Sequence, residues 1–316
     1  MDYFSLILTC FAYVFVVVAY YIKVKKYFKM PQNLRWELYP VPHEKNYKYG
    51  GSYFEEIEWW NKPRHKNVLR NITTMIKRYL FMGSYFEKKK WYWTGLYPWH
   101  MGFLMIVLFD GLIMIGAIFM KAGDWAISGS AGGGGEFLYY FTLAVGLTSF
   151  TIGGLGSILM LIFRSFNRDL KEYATPQNYL NYIFFLIMFG SGWAAWIIDD
   201  KTFTGFRDFW VGVISLDTVS VESWEYAHIL IFAAFLIYLP LTRSTHYITK
   251  ILYFFWIGWG DTPNTGKGED DPKLQEYLNY QPTWSAAHHQ TGKTWAERAT
   301  HLPEKESGKK ETGKGK

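Results

Sequence analysis

Cysteine is almost missing from this sequence: Cys10 stands alone among 316 residues. One thiol cannot build a disulfide framework, a cysteine-ligated iron–sulfur cluster or a cysteine zinc site. Any iron–sulfur chemistry that the chain serves must therefore sit in a partner. Cys10 itself lies in the first apolar run and reads as a small lipid- or helix-facing residue. A phosphate-binding loop is missing too, because no strand or lysine–serine pair accompanies the glycine run 132–135, which reads as a flexible connector. The apolar segments show no repeat symmetry and carry few charges, which argues against a transporter.

What is present is apolar and aromatic: half of the residues are hydrophobic and a fifth are aromatic. A mean hydropathy near zero hides a sharp segregation of apolar runs from basic, aromatic-rich segments. A bilayer core of roughly 30 Å needs about 20 apolar residues in helix. Runs of that length occur at Tyr3–Ile22, Trp99–Met120, Phe137–Phe163, Tyr179–Ile198 and Trp224–Leu241. The expected fold is an all-α integral membrane protein, a five-helix transmembrane bundle. The first run is followed by Lys23, Lys25 and Lys26. A signal peptide would place its charges before the apolar run, so a retained helix is expected.

The loops choose a direction. Residues 23–97, the turn with Arg164, Arg168 and Lys171, and the tail from Lys250 are basic, and all three fall on one side of five spans. The remaining loops hold residues 128–136 and the acidic group Asp199, Asp200, Asp208 and Asp217. The positive-inside rule then places the N-terminus outside and the C-terminus in the cytoplasm, in a multi-pass protein of the cytoplasmic (inner) membrane. The same rule accounts for the net charge of +6 without nucleic acid. The 75 residues of the first loop are too many for a simple connector. Their mixture of basic and aromatic groups, as in Trp59-Trp60, suits interfacial helices and a docking surface. From about Gly260 the tail is polar, and disorder is expected from Lys305 on.

Eight histidines are present, and three lie within or at the boundary of spans: His100, His228 and His246. An ionisable residue at membrane depth is costly, which makes each a candidate for function. His228 and His246 are 18 residues apart, five turns of a continuous helix and ~27 Å along it. They would then share a face at opposite leaflets. His100 opens the second span at the level of His246, and neutral imidazoles from facing helices can clamp a haem iron. His100 and His246 are thus the expected ligands of an inner haem b, and His228 a ligand of an outer one. The partner of His228 stays open. Asp110 is a poor haem ligand; Met114, nearly on the face of His100, and Lys121 are the candidates on the second span. One or two haems b follow.

The sequence resembles a family at several of these points. Five spans, with a histidine early in the second and two histidines 18 apart in the fifth, are similar to the gamma subunit of respiratory nitrate reductase. The segment Leu239-Pro240-Leu241-Thr242-Arg243-Ser244-Thr245-His246 resembles the PFTHMTH segment of the DsrM, HmeC and TmcC cytochromes of sulfur-metabolising membrane complexes. Trp284-Ser285-Ala286-Ala287-His288 with Gly292-Lys293-Thr294-Trp295-Ala296 resembles that group's C-terminal WSAPH…GKTWA signature. Thr175-Pro176-Gln177-Asn178-Tyr179 and Arg35-Trp36-Glu37-Leu38-Tyr39-Pro40 match two more of its segments. The resemblance implies a diheme cytochrome b that exchanges electrons with menaquinol (menaquinone when oxidised) near the outer face. The partner it implies is an HdrD/DsrK-like iron–sulfur subunit on the cytoplasmic side, within a complex of further membrane subunits. Asp110 departs from the nitrate reductase pattern, which has a second histidine there.

On this reading residues 1–22 form the first transmembrane helix and 23–97 a cytoplasmic and interfacial loop. Residues 98–258 form a four-helix haem-binding region, and 259–316 a tail for partner docking. Lys121, Asp124 and Glu136 on one outer loop, with Asp199 and Asp200 on the other, are candidates for a quinol site. The competing expectation is a haem-free membrane anchor that recruits soluble redox subunits.

Overall fold

A computed structural model describes residues 3–29, 68–242, 246, 248–252, 271–284 and 292–300. Helices are its only regular structure among these residues. Two compact units divide the chain: Met1–Lys23 with Val68–Ile251, and Val24–Asn67 with Leu252–Lys316.

Five helices are long and apolar enough to cross a membrane, which makes this a multi-pass membrane protein. They are α1 (Tyr3–Phe28), α4 (Lys90–Gly123), α5 (Gly133–Phe166), α7 (Pro176–Ala194, continued by a π-turn Ala195–Asp199) and α9 (Ser223–Tyr238, continued by a 3-10 turn Leu239–Leu241). Between them lie α2 (Val68–Met75), α3 (Gly83–Lys88), α6 (Arg168–Glu172) and α8 (Thr204–Ser215). The outward faces are apolar, as lipid contact requires. On α1, Phe4, Ile7, Phe11, Val14 and Val18 are exposed, while Ser5, Leu6, Thr9 and Ala12 form a narrow buried stripe.

Small residues set the spacing of the central pair. A side chain at Gly102 of α4 would collide with the backbone of Gly153 on α5, and one at Gly156 with the backbone of Trp99. The Ser149 hydroxyl donates to the Gly102 carbonyl at 2.9 Å across the same crossing. Gly153 and Gly156 are thus helix-packing residues, as small residues at membrane crossings generally are. The aromatic rings of Phe109, Phe150, Phe185, Phe189 and Phe203 fill the core around them.

Four features differ from expectation. α4 begins at Lys90, nine residues before the apolar run. The glycine run is no connector: Gly133–Gly135 open α5, and Gly135 is buried, where a side chain would strike the Ala126 carbonyl. The acidic loop contains a whole helix, α8, which buries Phe206, Arg207, Phe209 and Trp210. Finally, the helix of His228 does not run on to His246. Pro240 lies in the 3-10 turn, Thr242 is extended (φ −107°, ψ 179°), and helical backbone resumes at His246. The shared-face argument for those two histidines therefore does not hold, although both remain on the last span and its extension.

In the second unit α10 (Asp271–Leu278) and α11 (Trp295–Thr300) come together through a bond from the Trp295 amide to the Tyr280 carbonyl at 3.1 Å. The Trp284 and Trp295 rings meet at 6.2 Å, so the two halves of the tail signature fold against each other. Thr294 and Glu297 form a reciprocal cap on α11, and those amide and hydroxyl donors hold the Glu297 carboxyl below its usual range. The segment Arg35–Pro40, Trp59-Trp60 and the residues from Lys305 on lie outside the described residues.

Candidate functional site

Polar side chains gather at two levels of the first unit. One is the basic end, where α4 starts and α9 finishes. There the His100 and His246 rings lie with their centres 6.4 Å apart and their planes at 69°. His100 is half-buried one turn past Leu96, and its Nδ1 bonds the Leu96 carbonyl at 2.9 Å. That carbonyl can only accept, so Nδ1 carries the proton and Nε2 keeps its lone pair. Trp99 covers the ring edge-on at 4.8 Å. Nearby, the Lys23 ammonium donates to the Pro240 carbonyl, and the Tyr238 hydroxyl donates to Asn181 Oδ1 at 2.6 Å. The Lys250 ammonium sits 5.7 Å from the centre of the Tyr79 ring.

The spacing of this pair can be tested against a bis-imidazole metal site. With a metal–nitrogen bond of about 2.0 Å and roughly 1.1 Å from nitrogen to ring centre, two imidazoles on opposite sides of one ion have centres about 6.2 Å apart. The observed 6.4 Å matches. The angle between planes is free, because each ring turns about its own metal–nitrogen bond. A ligating histidine typically donates its other N–H to a carbonyl, as His100 does. The residues fit a haem iron.

The second level is a small, partly open cleft bounded by α1, α4, α8 and α9, with a cavity volume of about 40 Å³. His228, 4% exposed, lines it. Its Nδ1 is 2.8 Å from Ser191 Oγ, whose own proton goes to the Met188 carbonyl at 2.8 Å. Ser191 must then accept from His228, which leaves the imidazole Nε2 as the unprotonated nitrogen. Asp110 lines the same cleft, where it receives hydrogen bonds from the Tyr13 hydroxyl and the Trp210 indole. Tyr13 packs edge-on against Trp210 at 5.0 Å. The Thr9 hydroxyl is buried beside them without a hydrogen-bond partner.

The other expected site residues lie elsewhere. Met114 packs against the core one turn beyond Asp110 and is not among the residues lining the cleft. Lys121 and Asp124 are exposed at the end of α4, and Glu136 is half-buried in the first turn of α5. Asp199 and Asp200 serve helix ends. Asp199 Oδ2 accepts from the amides of Trp224 (2.6 Å) and Glu225 (2.9 Å), which start α9. Asp200 accepts from Thr202, Thr204 and Gly205 at the start of α8. Partial burial pushes the Asp200 carboxyl up, but these donors outweigh it and hold it below the ordinary carboxylate range. Arg207, 2% exposed, donates to the Thr202 carbonyl at 2.7 Å and faces the Tyr139 ring. Burial lowers its guanidinium from the usual value, against the pull of Asp200. His43, His65, His288, His289 and His301 lie outside the described residues.

Sequence reasoning missed Tyr13, Thr9 and Trp210, and weighed Asp110 only as an iron ligand. A signal existed for Asp110, an acidic residue ten positions inside an apolar span. For Tyr13 there was none, since 24 tyrosines offer no way to single it out. No protein-family model, curated protein or solved structure matches this chain.

Proposed function

We infer that this chain is the membrane cytochrome b subunit of a quinone-linked redox complex, carrying electrons between menaquinol and an HdrD/DsrK-like iron–sulfur subunit in the cytoplasm. The observation that supports it is the His100–His246 pair, whose ring centres lie 6.4 Å apart and which would hold the haem iron. Haem b, when bound there, supplies a one-electron iron couple, and the protein sets ligand geometry, dielectric and access. His100 is oriented by Leu96, which leaves Nε2 as its unprotonated nitrogen. Trp99 and the Phe103 and Phe185 rings near it keep water from that side of α4. The close α4–α5 crossing fixes the height of His100 in the membrane. Arg164, Lys23 and Lys250 place positive charge at the same end. By the positive-inside rule that end faces the cytoplasm, where the iron–sulfur partner docks.

The test is a pyridine haemochrome assay on the purified full-length protein, quantified per chain. Haem b that is present in the parent and lost in both His100→Ala and His246→Ala supports this reading. A parent with no haem overturns it and leaves the haem-free anchor.

A further inference from the structure

The cleft between α1, α4, α8 and α9 holds polar groups that the histidine pair at the other level does not use. Resting on the cytochrome reading, we propose that this cleft seats the head group of a quinone or quinol and that no second haem binds at His228. A lipid-soluble flat ring with an oxygen on each of two opposite edges needs apolar walls and a hydrogen-bonding group towards each oxygen. Phe109, Phe206 and Phe232 line the cleft as walls. From α9 comes His228, whose Nδ1–H is committed to Ser191, so that Nε2 is the nitrogen left to accept a ring hydroxyl. From α1 and α4 come the Tyr13–Asp110 pair and the Thr9 hydroxyl, a buried polar atom with no partner. An orphan donor in a buried cleft costs stability unless something accepts from it, and a ring oxygen would do so.

The same residues argue against a second haem. Iron at His228 needs a second axial ligand from a facing helix, and haem proteins draw on His, Met, Cys or Tyr. Among the residues lining the cleft there is no other histidine and no methionine or cysteine. The one tyrosine, Tyr13, is bonded to Asp110. Asp110 in turn also takes the Trp210 indole. This polar set recognises oxygen atoms better than it coordinates iron.

The experiment uses the full chain in nanodiscs and the probe 2-methyl-1,4-naphthoquinone reduced to its quinol under anaerobic conditions, followed by equilibrium dialysis, with haem counted in the same samples. The expected result is one saturable site and one haem per chain. Asp110→Asn and Tyr13→Phe should weaken binding about tenfold or more, the loss of a hydrogen bond to a charged group. Ala233→Phe, which fills the cleft and removes none of its polar groups, should abolish binding and leave the haem in place. Quinol binding that none of these variants alters, or no saturable binding in a chain that carries its haem, overturns the site and spares the cytochrome reading. Two haems per chain, one of them lost in His228→Ala, overturn it likewise. Saturable binding that depends on Asp110 in a chain devoid of haem supports the site and overturns the reading beneath it.

Discussion

The two levels at which this bundle gathers polar groups are built on opposite plans. At the basic end the groups lie near the ends of the spans: His246 is exposed, His100 is half-buried in α4, and Lys23 reaches the Pro240 carbonyl at the end of α9. In the cleft they are buried in the middle of helices and satisfy one another, Tyr13 with Asp110 and His228 with Ser191. A histidine near the end of a span can take a ligand from outside the chain at little cost. A carboxylate inside a span must be held by donors at all times, because lipid offers none. On the proposed reading, the contrast separates a place for a fixed cofactor from a place for a small exchanging molecule.

The largest expected effect tests that division directly. Removing either His100 or His246 should eliminate the haem absorbance altogether, whereas His228→Ala should leave it at the parent level. Equal losses in all three variants would erase the contrast. Next in size is the helix crossing that carries His100. Gly153→Leu would force a side chain into the Phe189 ring. Overpacking of this kind costs about 1–3 kcal/mol or more, read as a lower Tm in detergent. A crossing that tolerates leucine would show that α4 is held in place by something else.

Smaller effects belong to the helix caps around the cleft. Asp199→Ala removes the acceptor for two α9 amides, and by analogy with N-cap losses should cost about 1 kcal/mol. Asp200 gives a pH test. Its carboxyl is lowered in the folded state, so its contribution is complete above the unfolded value near 3.9. That contribution fades as the pH falls through the lowered folded value. Amide protection at Thr204 and Gly205, corrected for intrinsic exchange, should therefore hold across neutral and mildly acidic pH and fall only below about pH 4. A decline already at pH 6 would mean that α8 depends on another group. The smallest effect is Tyr238→Phe, which loses the bond to Asn181 and should cost about 0.6 kcal/mol, the usual size of an interhelical hydrogen bond in membranes.

Much of the frame was legible in the sequence, since length and apolarity alone mark five spans. The pairing of His100 with His246 was legible too, because both positions fall at the same boundary. Other features depend on contacts between distant residues. The break after Tyr238 is carried by Pro240 within a segment that otherwise reads as continuous apolar helix. α8 hid in a loop because Asp200, Arg207 and Asp208 make that stretch look solvated, although Arg207 is turned inward onto the Thr202 carbonyl and the Tyr139 ring. The Tyr13–Asp110 bond joins residues 97 apart in sequence, and no local pattern announces such a meeting.

α4 carries both His100 and Asp110, and ten residues of helix separate them by ~15 Å along its axis. Because α4 touches α5 backbone to backbone at Gly102 and Gly153, that helix is braced close to its midpoint. Electron tunnelling slows exponentially with distance, so a stretch of a few ångströms would cost orders of magnitude in rate. A braced helix acts as a ruler. On the proposed reading it keeps the gap between a quinol in the cleft and an iron at the basic end constant, whatever the loops do when a partner arrives.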